Sequence, residues 1–204
     1  MRPIRAKILA IYGSPRRNGN TSLLLKKAVQ GSIEAGAEVE EIILRDLNMS
    51  PCLEIYTCKK TGRCVIQDDF QKVYDKLLEC HGLMLASPIF FYAVNAHTKI
   101  LMDRCQSLWA RKYWLKKSPA EKPEVGRKGL FISAGATKGK KLFDGTLLSI
   151  RYFFEALDMK LWKSLLYRGL DLKDDVLKHP EYLEEAYCAG KELFQAISID
   201  HTAL

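Results

Sequence analysis

Short apolar runs alternate with helical segments along almost the whole of this 204-residue chain, and this alternation constrains the fold more than any other feature. Strands separated by helices favour parallel pairing, because each helical crossover returns the chain to the same end of the sheet. We therefore predict an α/β fold, a doubly wound parallel sheet with helices on both faces, in a single domain over residues 1–204. The strands are predicted at residues 7–12, 39–44, 82–86, 129–133 and 160–166, and the helices at residues 21–35, 69–80, 95–108, 142–157 and 180–197.

The first predicted strand runs into a turn of small polar residues and then directly into the first predicted helix. A helix N-terminus carries unpaired N–H groups and a partial positive charge, so this junction favours a phosphate-binding pocket. Further donors are available from Ser14, Asn18, Asn20, Thr21 and Ser22. The turn matches neither a dinucleotide fingerprint nor a Walker loop. The alternative is an ordinary turn in which Asn20 or Thr21 caps the helix.

A second loop, after the third predicted strand, combines Ser87 and Pro88 with the aromatic residues Phe90, Phe91 and Tyr92. In doubly wound sheets, ligands bind beyond the carboxyl ends of the strands. A planar ligand would explain so many aromatic side chains at that position. The alternative is an aromatic cluster that packs into the core.

Together, the two loops resemble those of the flavodoxin-like, NAD(P)H-dependent FMN reductase family. The matching residues are Gly13-Ser14-Pro15-Arg16, Gly19-Asn20-Thr21, Ser87-Pro88-Ile89-Phe90-Phe91, Lys99 and Asp103-Arg104. The resemblance implies a sheet of five parallel strands in the order 2-1-3-4-5. It implies an FMN site whose phosphate contacts are Ser14, Arg16, Asn20, Thr21 and Ser22, and whose ring contacts are Pro88, Ile89, Phe90, Phe91, Ala134 and Gly135. Ion pairs would account for Lys99 and Arg104 equally well.

The same resemblance implies an NAD(P)H-dependent FMN oxidoreductase that passes electrons to a small acceptor, such as a quinone, a nitro or azo compound, a flavin or a metal ion. The flavin N5 atom carries this chemistry, so no catalytic side chain is required. The alternative function is that of a flavodoxin-like carrier, which holds FMN for a protein partner without oxidising NAD(P)H. A further alternative is a nucleic-acid-binding or scaffold protein without a cofactor.

Cys52, Cys58 and Cys64 resemble three positions of the cysteine loop found in the iron–sulfur flavoproteins of this family. Ile55 stands at the position of the missing ligand, and its side chain cannot bind iron. A [4Fe–4S] cluster requires four thiolates, so we expect neither a cluster nor any other metal here. The loop is instead expected to cover the flavin or a partner subunit. The remaining cysteines are predicted to be buried: Cys80, Cys105 and Cys188.

The net charge of +8 is concentrated in residues 99–141, which hold 12 Lys or Arg residues against three acidic ones. Aromatic residues interleave with these cations around Trp114. A homodimer or homotetramer interface is preferred there over single-stranded nucleic acid, although stacked bases would suit the pattern. The cations would also favour the 2′-phosphate of NADPH.

No apolar run reaches the ~18 residues of a membrane span, and no leader is evident, so we expect a cytoplasmic protein with reduced cysteines.

Overall fold

The computed structural model describes residues 6–118 and 126–202, with side chains up to residue 197. Its sheet has the strand order β2-β1-β3-β5-β6, all parallel, and a short strand β4 pairs antiparallel with β3 at one end. The predicted order is therefore confirmed, with β5 and β6 as the fourth and fifth predicted strands. The strands are β1 (Lys7–Tyr12), β2 (Glu38–Ile43), β3 (Gly82–Phe90), β4 (Ala93–Val94), β5 (Lys128–Gly135) and β6 (Lys160–Arg168).

Helices cover both faces of the sheet, as expected for a doubly wound fold. Alternate residues of β1 show the division, because Ile8 and Ala10 pack with α1 and α7 whereas Leu9 and Ile11 pack with α3 to α6. A π-helical turn spans Ala110–Trp114. The helices are α1 (Asn20–Glu34), α2 (Cys58–Thr61), α3 (Phe70–Glu79), α4 (Ala96–Arg104), α5 (Gln106–Trp109), α6 (Asp144–Ala156) and α7 (Pro180–Thr202), and 3-10 helices span Leu44–Asp46 and Asp175–Lys178.

Two predicted strand ends and one predicted helix differ from the structure. Strands β3 and β5 continue beyond residues 86 and 133, so the loops that follow them begin farther from the middle of the sheet. The helix predicted over residues 95–108 is interrupted at Cys105, whose ψ of 0° lies outside the helical range. Burial of the Cys105 side chain at this break ties the two helical segments to the core.

The first and last helices cross at very short range. A Cβ atom at Gly190 would lie 1.9 Å from the carbonyl oxygen of Ala28, and one at Gly31 would lie 2.1 Å from that of Tyr187. Ser32 Oγ donates a 2.7 Å hydrogen bond to the Gly190 carbonyl across the same contact. Only residues without a side chain permit this approach, so α1 and α7 are fixed in one relative position.

Arg127, a cation of the basic 99–141 region, is buried and joins two helix ends. Its guanidinium donates to the carbonyls of Leu77 and Cys80, at the end of α3, and to that of Leu157, at the end of α6. The carbonyl ends of helices carry partial negative charge, which a cation stabilises. One cation of the basic region is therefore buried and stabilises the core. Residues 119–125 of that region lie outside the described residues.

Within the described part of the chain, no helix has the length and apolar character needed to cross a membrane.

Candidate functional site

Asn95 joins the two loops that the sequence singled out. Its Nδ2 donates to the carbonyl oxygen of Gly13 at 2.6 Å, and its Oδ1 accepts from Thr98 Oγ1 at 2.7 Å. Ser87 Oγ lies 3.2 Å from both Asn95 Oδ1 and the Asn95 backbone nitrogen. Asn95 is buried and also caps α4 as predicted, because Oδ1 accepts from the Thr98 N–H. The loop after β1 is therefore held against the loop after β3 by a buried polar network.

A cavity of about 160 Å³ lies between these loops, at the carboxyl ends of β1, β3 and β5. Nine of the eleven predicted flavin-site residues line it, including Ala134 and Gly135 at the carboxyl end of β5. This is the position at which doubly wound sheets bind ligands. The lining residues are Ser14, Pro15, Arg16, Gly19, Asn20, Thr21, Pro88, Ile89, Phe90, Ala134, Gly135, Ala136, Leu170 and Asp171.

Two predicted residues, Ser22 and Phe91, do not line the cavity. The Ser22 side chain is buried beneath the loop and donates to the Arg16 carbonyl oxygen at 3.1 Å. Phe91 is fully exposed at the turn between β3 and β4, where its φ of 50° and the φ of 60° at Tyr92 reverse the chain. The alternative that these aromatic residues pack into the core is wrong, since Phe90 and Tyr92 are also about half exposed.

The N-terminus of α1 opens onto the cavity without a side-chain cap. Gly19 occupies the N-cap position, so the alternative in which Asn20 or Thr21 caps the helix is wrong. The first turn contains no acidic residue. The guanidinium of Arg16 is exposed beside this helix end and pairs with no acidic residue in the described part of the chain. Unpaired helix N–H groups next to a free cation form a binding place for an anion.

Asn20 uses its side chain for a different purpose from the predicted one. Its Nδ2 donates to the Leu172 carbonyl at 2.9 Å, and its Oδ1 accepts from the Val176 N–H at 3.2 Å. These bonds hold the segment after β6 against the cavity, where Leu170 and Asp171 form part of the wall. We did not predict those two residues. Both follow the carboxyl end of a parallel strand, where such sheets bind ligands, and this position in the sequence would have indicated them.

Lys99 and Arg104 form ion pairs away from the cavity. Lys99 pairs with Asp103 on the exposed side of α4 at 2.6 Å, one helical turn along. Arg104 is buried and binds both carboxylate oxygens of Asp68, at 2.6 and 2.9 Å. Burial alone would raise the pKa of Asp68, but hydrogen bonds from Arg104 and from backbone N–H groups outweigh it and lower that pKa. The ion-pair interpretation accounts for both cations.

A family model whose members are described as NADPH-dependent FMN reductases matches residues 6–160. The chain belongs to this family. An iron–sulfur flavoprotein of Methanocaldococcus jannaschii is 42% identical over 102 residues, which cover 50% of this chain and 53% of that protein. The chain thus spans about half the length of the first curated relatives it matches.

Two further similarities extend over nearly the whole chain. The Bacillus subtilis protein YwqN, named as an NAD(P)H-dependent FMN-containing oxidoreductase, is 26% identical over 181 residues, covering 88% of this chain and 94% of its own. The structure of an NAD(P)H:quinone oxidoreductase from Methanothermobacter marburgensis superposes with a TM-score of 0.70 at 15% identity, covering 93% of this chain and 96% of that one. At this identity the structural likeness establishes the flavodoxin-like fold.

The three cysteines of the loop line a second and larger cavity in this family member. It measures about 490 Å³ and lies against α4 and α5, and it shares no lining residue with the first cavity. Cys52, Cys58 and Cys64 have free, partly buried thiols. Burial raises the pKa of Cys58, and the neighbouring Cys64 and Cys52 raise it further, so its protonated form is favoured. The lining residues are Pro51 to Cys58, Cys64, Val65, Ile66, Met102, Asp103 and Gln106.

The residues around this second cavity do not fit a [4Fe–4S] cluster. Such a cluster takes four thiolates, and the lining supplies three. Ile55 also lines the cavity and offers no ligand atom. Within the described residues, no group of three or more His, Cys, Asp or Glu side chains converges on a position for a single metal ion. None of the loop residues lines the first cavity, so the structure gives no support to the expectation that the loop covers the flavin.

Two other cysteines are buried as predicted, and one is not. Burial raises the pKa of both Cys80 and Cys105. Cys188 is partly exposed on α7, where its thiol lies 3.5 Å from a Glu184 carboxylate oxygen. The prediction of burial was wrong for Cys188, because its helical position faces the boundary of the apolar stripe.

The aromatic residues of the basic region pack mainly against this chain. Tyr113 donates to the Glu155 carboxylate at 2.7 Å, and Lys112 pairs with Asp158 at 3.0 Å. Trp114 is half exposed and lies beneath the Lys59 ammonium, 4.6 Å from the ring centre. The described part of the region therefore leaves Trp114 as the aromatic residue most available to a partner.

Proposed function

We propose that this protein is an FMN-dependent NAD(P)H oxidoreductase that passes electrons to a small acceptor such as a quinone. One observation carries the proposal: the loop after β1 and the carboxyl ends of β3 and β5 converge on one cavity at the uncapped N-terminus of the 15-residue helix α1. Family membership supports FMN as the ligand of this cavity. FMN, when bound, supplies the hydride-accepting chemistry.

The phosphate of FMN would bind at the start of α1. Backbone N–H groups of Asn20, Thr21 and Ser22 supply the helix-end donors, with Ser14 Oγ and the Arg16 guanidinium beside them. Asn20 contributes through its backbone, because its side chain holds the segment after β6. Ser22 stabilises the loop through the Arg16 carbonyl. All five predicted phosphate residues therefore have a role in the proposed site, but the side chains of Asn20 and Ser22 act in a different way from the predicted one.

The flavin ring would lie against the carboxyl ends of β3 and β5. Pro88, Ile89 and Phe90 form one wall, and Ala134 and Gly135 form the other. A Cβ atom at Gly135 would lie 3.0 Å from a Leu142 methyl group and 3.3 Å from Ile89, so the wall has no room for a larger residue. Apolar walls of this kind exclude water from one ring face and fix the ring for hydride transfer.

We propose that a second copy of the chain completes the site in a homodimer or homotetramer. The cavity is smaller than the ~300–1,000 Å³ typical of ligand pockets, so part of the ring would extend beyond it. Exposed apolar residues are available to such a copy: Phe91 and Tyr92 directly follow Phe90 of the cavity wall, and Leu148 and Tyr152 are exposed on α6. Thr146 Oγ1 donates to the Tyr92 carbonyl at 3.0 Å, which fixes the turn to α6.

An absorption spectrum of the purified full chain, followed by anaerobic titration, tests the function. We expect flavin bands that NADPH bleaches and that a quinone restores. Colourless protein that takes up no added FMN would overturn the proposal. Flavin bands that NADPH does not bleach would instead favour the electron carrier that serves a protein partner.

A further inference from the structure

The cysteine loop, residues 50–66, is fixed at its two ends by one buried cation. Arg104 donates to the Ser50 carbonyl at 2.8 Å and to the Ile66 carbonyl at 3.2 Å, and its charge is balanced by Asp68. The loop therefore closes on itself at its base and encloses the 490 Å³ cavity.

Within that loop, Ile55 occupies a position that packing does not explain. Its side chain is 53% exposed, yet the residues on either side, Glu54 and Tyr56, have φ values of 51° and 62°. Left-handed backbone at two non-glycine residues costs free energy, and such strain is concentrated at binding and catalytic sites. An exposed isoleucine returns little of that cost by burial. The strained turn places residue 55 at the wall of the cavity together with Cys52, Cys58 and Cys64.

We propose that this cavity lacks one of the four thiolates of a [4Fe–4S] site, because Ile55 occupies the position of the fourth ligand. The four positions all line this one cavity, and three of them carry free thiols: Cys52, Cys58 and Cys64. One cysteine in place of Ile55 would make the set complete. This inference is independent of the proposed flavin chemistry.

Arg104, which fixes the base of the loop, has one hydrogen-bond donor to spare. The Nε atom of Arg104 is buried and has no hydrogen-bond partner in the described part of the protein. Arg104 also interacts with the Cys64 thiol. Hydrogen bonds and positive charge at ligand sulfurs stabilise the anionic iron–sulfur core. The charge of Arg104 would therefore stabilise a thiolate at Cys64, and its Nε is a spare buried donor at the base of the loop.

The carboxylates at the cavity wall do not replace the missing thiolate. Asp103 is paired with Lys99 at 2.6 Å, and carboxylate oxygens are hard donors, whereas iron–sulfur clusters select soft thiolates. Glu54 also lines the cavity, but its oxygens have the same disadvantage. We therefore expect the natural chain to hold no cluster.

Anaerobic reconstitution of the full chain tests the proposal. Wild type, Ile55→Cys and Ile55→Ala are each supplied with sulfide and with equal amounts of ferrous and ferric iron. With that mixture the oxidised cluster assembles without another oxidant, and each ligating thiol releases its proton to the buffer. Bound iron and sulfide are measured after desalting, and the electron paramagnetic resonance spectrum is recorded after one-electron reduction by dithionite.

We expect one [4Fe–4S] cluster per chain in Ile55→Cys and none in the wild type or in Ile55→Ala. Adding Cys58→Ser to Ile55→Cys should abolish the cluster. A cluster in the wild type, whether of three or four irons, would overturn the proposal. A cluster in Ile55→Ala would also overturn it, because the size of the Ile55 side chain, rather than a missing ligand, would then be what prevents cluster binding. Absence of a cluster in Ile55→Cys would also overturn it, with far-ultraviolet circular dichroism and FMN content confirming that the variant is folded.

Discussion

The side-chain amide of Asn95 donates a 2.6 Å hydrogen bond to the carbonyl oxygen of Gly13, which lies 82 residues earlier in the chain. This bond connects the two loops that form the flavin cavity. Replacing Asn95 by Ala leaves a buried carbonyl without its donor, which costs about 1–3 kcal/mol of unfolding free energy. We also expect weaker FMN binding, because the two loops are no longer held in a fixed position relative to each other. Urea denaturation and FMN titration measure the two effects.

Asn95→Asp is the matched control for that experiment. Aspartate still accepts from the Thr98 N–H and so keeps the helix cap, but its carboxylate cannot donate to Gly13. We expect Asn95→Asp to weaken FMN binding as well. Full affinity in that variant would show that capping of α4, and not the link between the loops, supports the site.

Arg16 is expected to contribute to phosphate binding through its free charge. Arg16→Ala should weaken FMN binding about tenfold or more, since a charge-assisted hydrogen bond is worth roughly 1.5–3 kcal/mol. Riboflavin, which lacks the phosphate, should bind both proteins equally. Arg17→Ala is the control, because Arg17 pairs with Asp46 at 2.9 Å and does not line the cavity. Equal losses in both variants would contradict the assignment.

The Arg104–Asp68 pair should dominate the acid sensitivity of the cysteine loop. The pKa of Asp68 is lowered on folding from 3.8, so the pair stabilises the fold fully above that pH and loses its contribution as the pH falls below it. Asp68→Asn leaves a buried cation uncompensated, which costs about 3–5 kcal/mol. Asp103→Asn, at the exposed Lys99 pair, should cost ~0–1 kcal/mol. Thermal unfolding at several pH values compares the two variants.

Three lysines after β5 are expected to favour NADPH over NADH. Lys138, Lys140 and Lys141 are exposed on the segment that continues from the cavity wall at Ala136, and none pairs with an acidic residue in the described part of the chain. Replacing all three by Ala should lower kcat/KM for NADPH about tenfold, the worth of a charge-assisted hydrogen bond, and leave the value for NADH unchanged. A parallel loss with both donors would show that the lysines do not contact the 2′-phosphate.

Local patterns were sufficient for the alternation of strands and helices, and the family resemblance supplied the sheet order. Apolar runs and a glycine-rich turn depend on near neighbours in the chain, and Ser14, Thr21 and Pro88, which they singled out, line one cavity. Phe91 does not line it because the chain reverses there through two left-handed residues, which a run of aromatic residues does not indicate. Asn20 was misread because its partner, Leu172, is 152 residues away. Errors like that at Asn20 arise wherever a polar side chain forms a hydrogen bond with a backbone group far away in the sequence.

The close crossing of α1 and α7 has a consequence for the order in which the protein matures during translation. Asn20 begins the helix that would bind phosphate, but its side-chain partners Leu172 and Val176 are synthesised 152 and 156 residues later, and α7, which packs against Gly31, follows them. A nascent chain that ends before residue 170 would present α1 without these supports. We therefore expect FMN to bind only after α7 has been synthesised and has packed against α1.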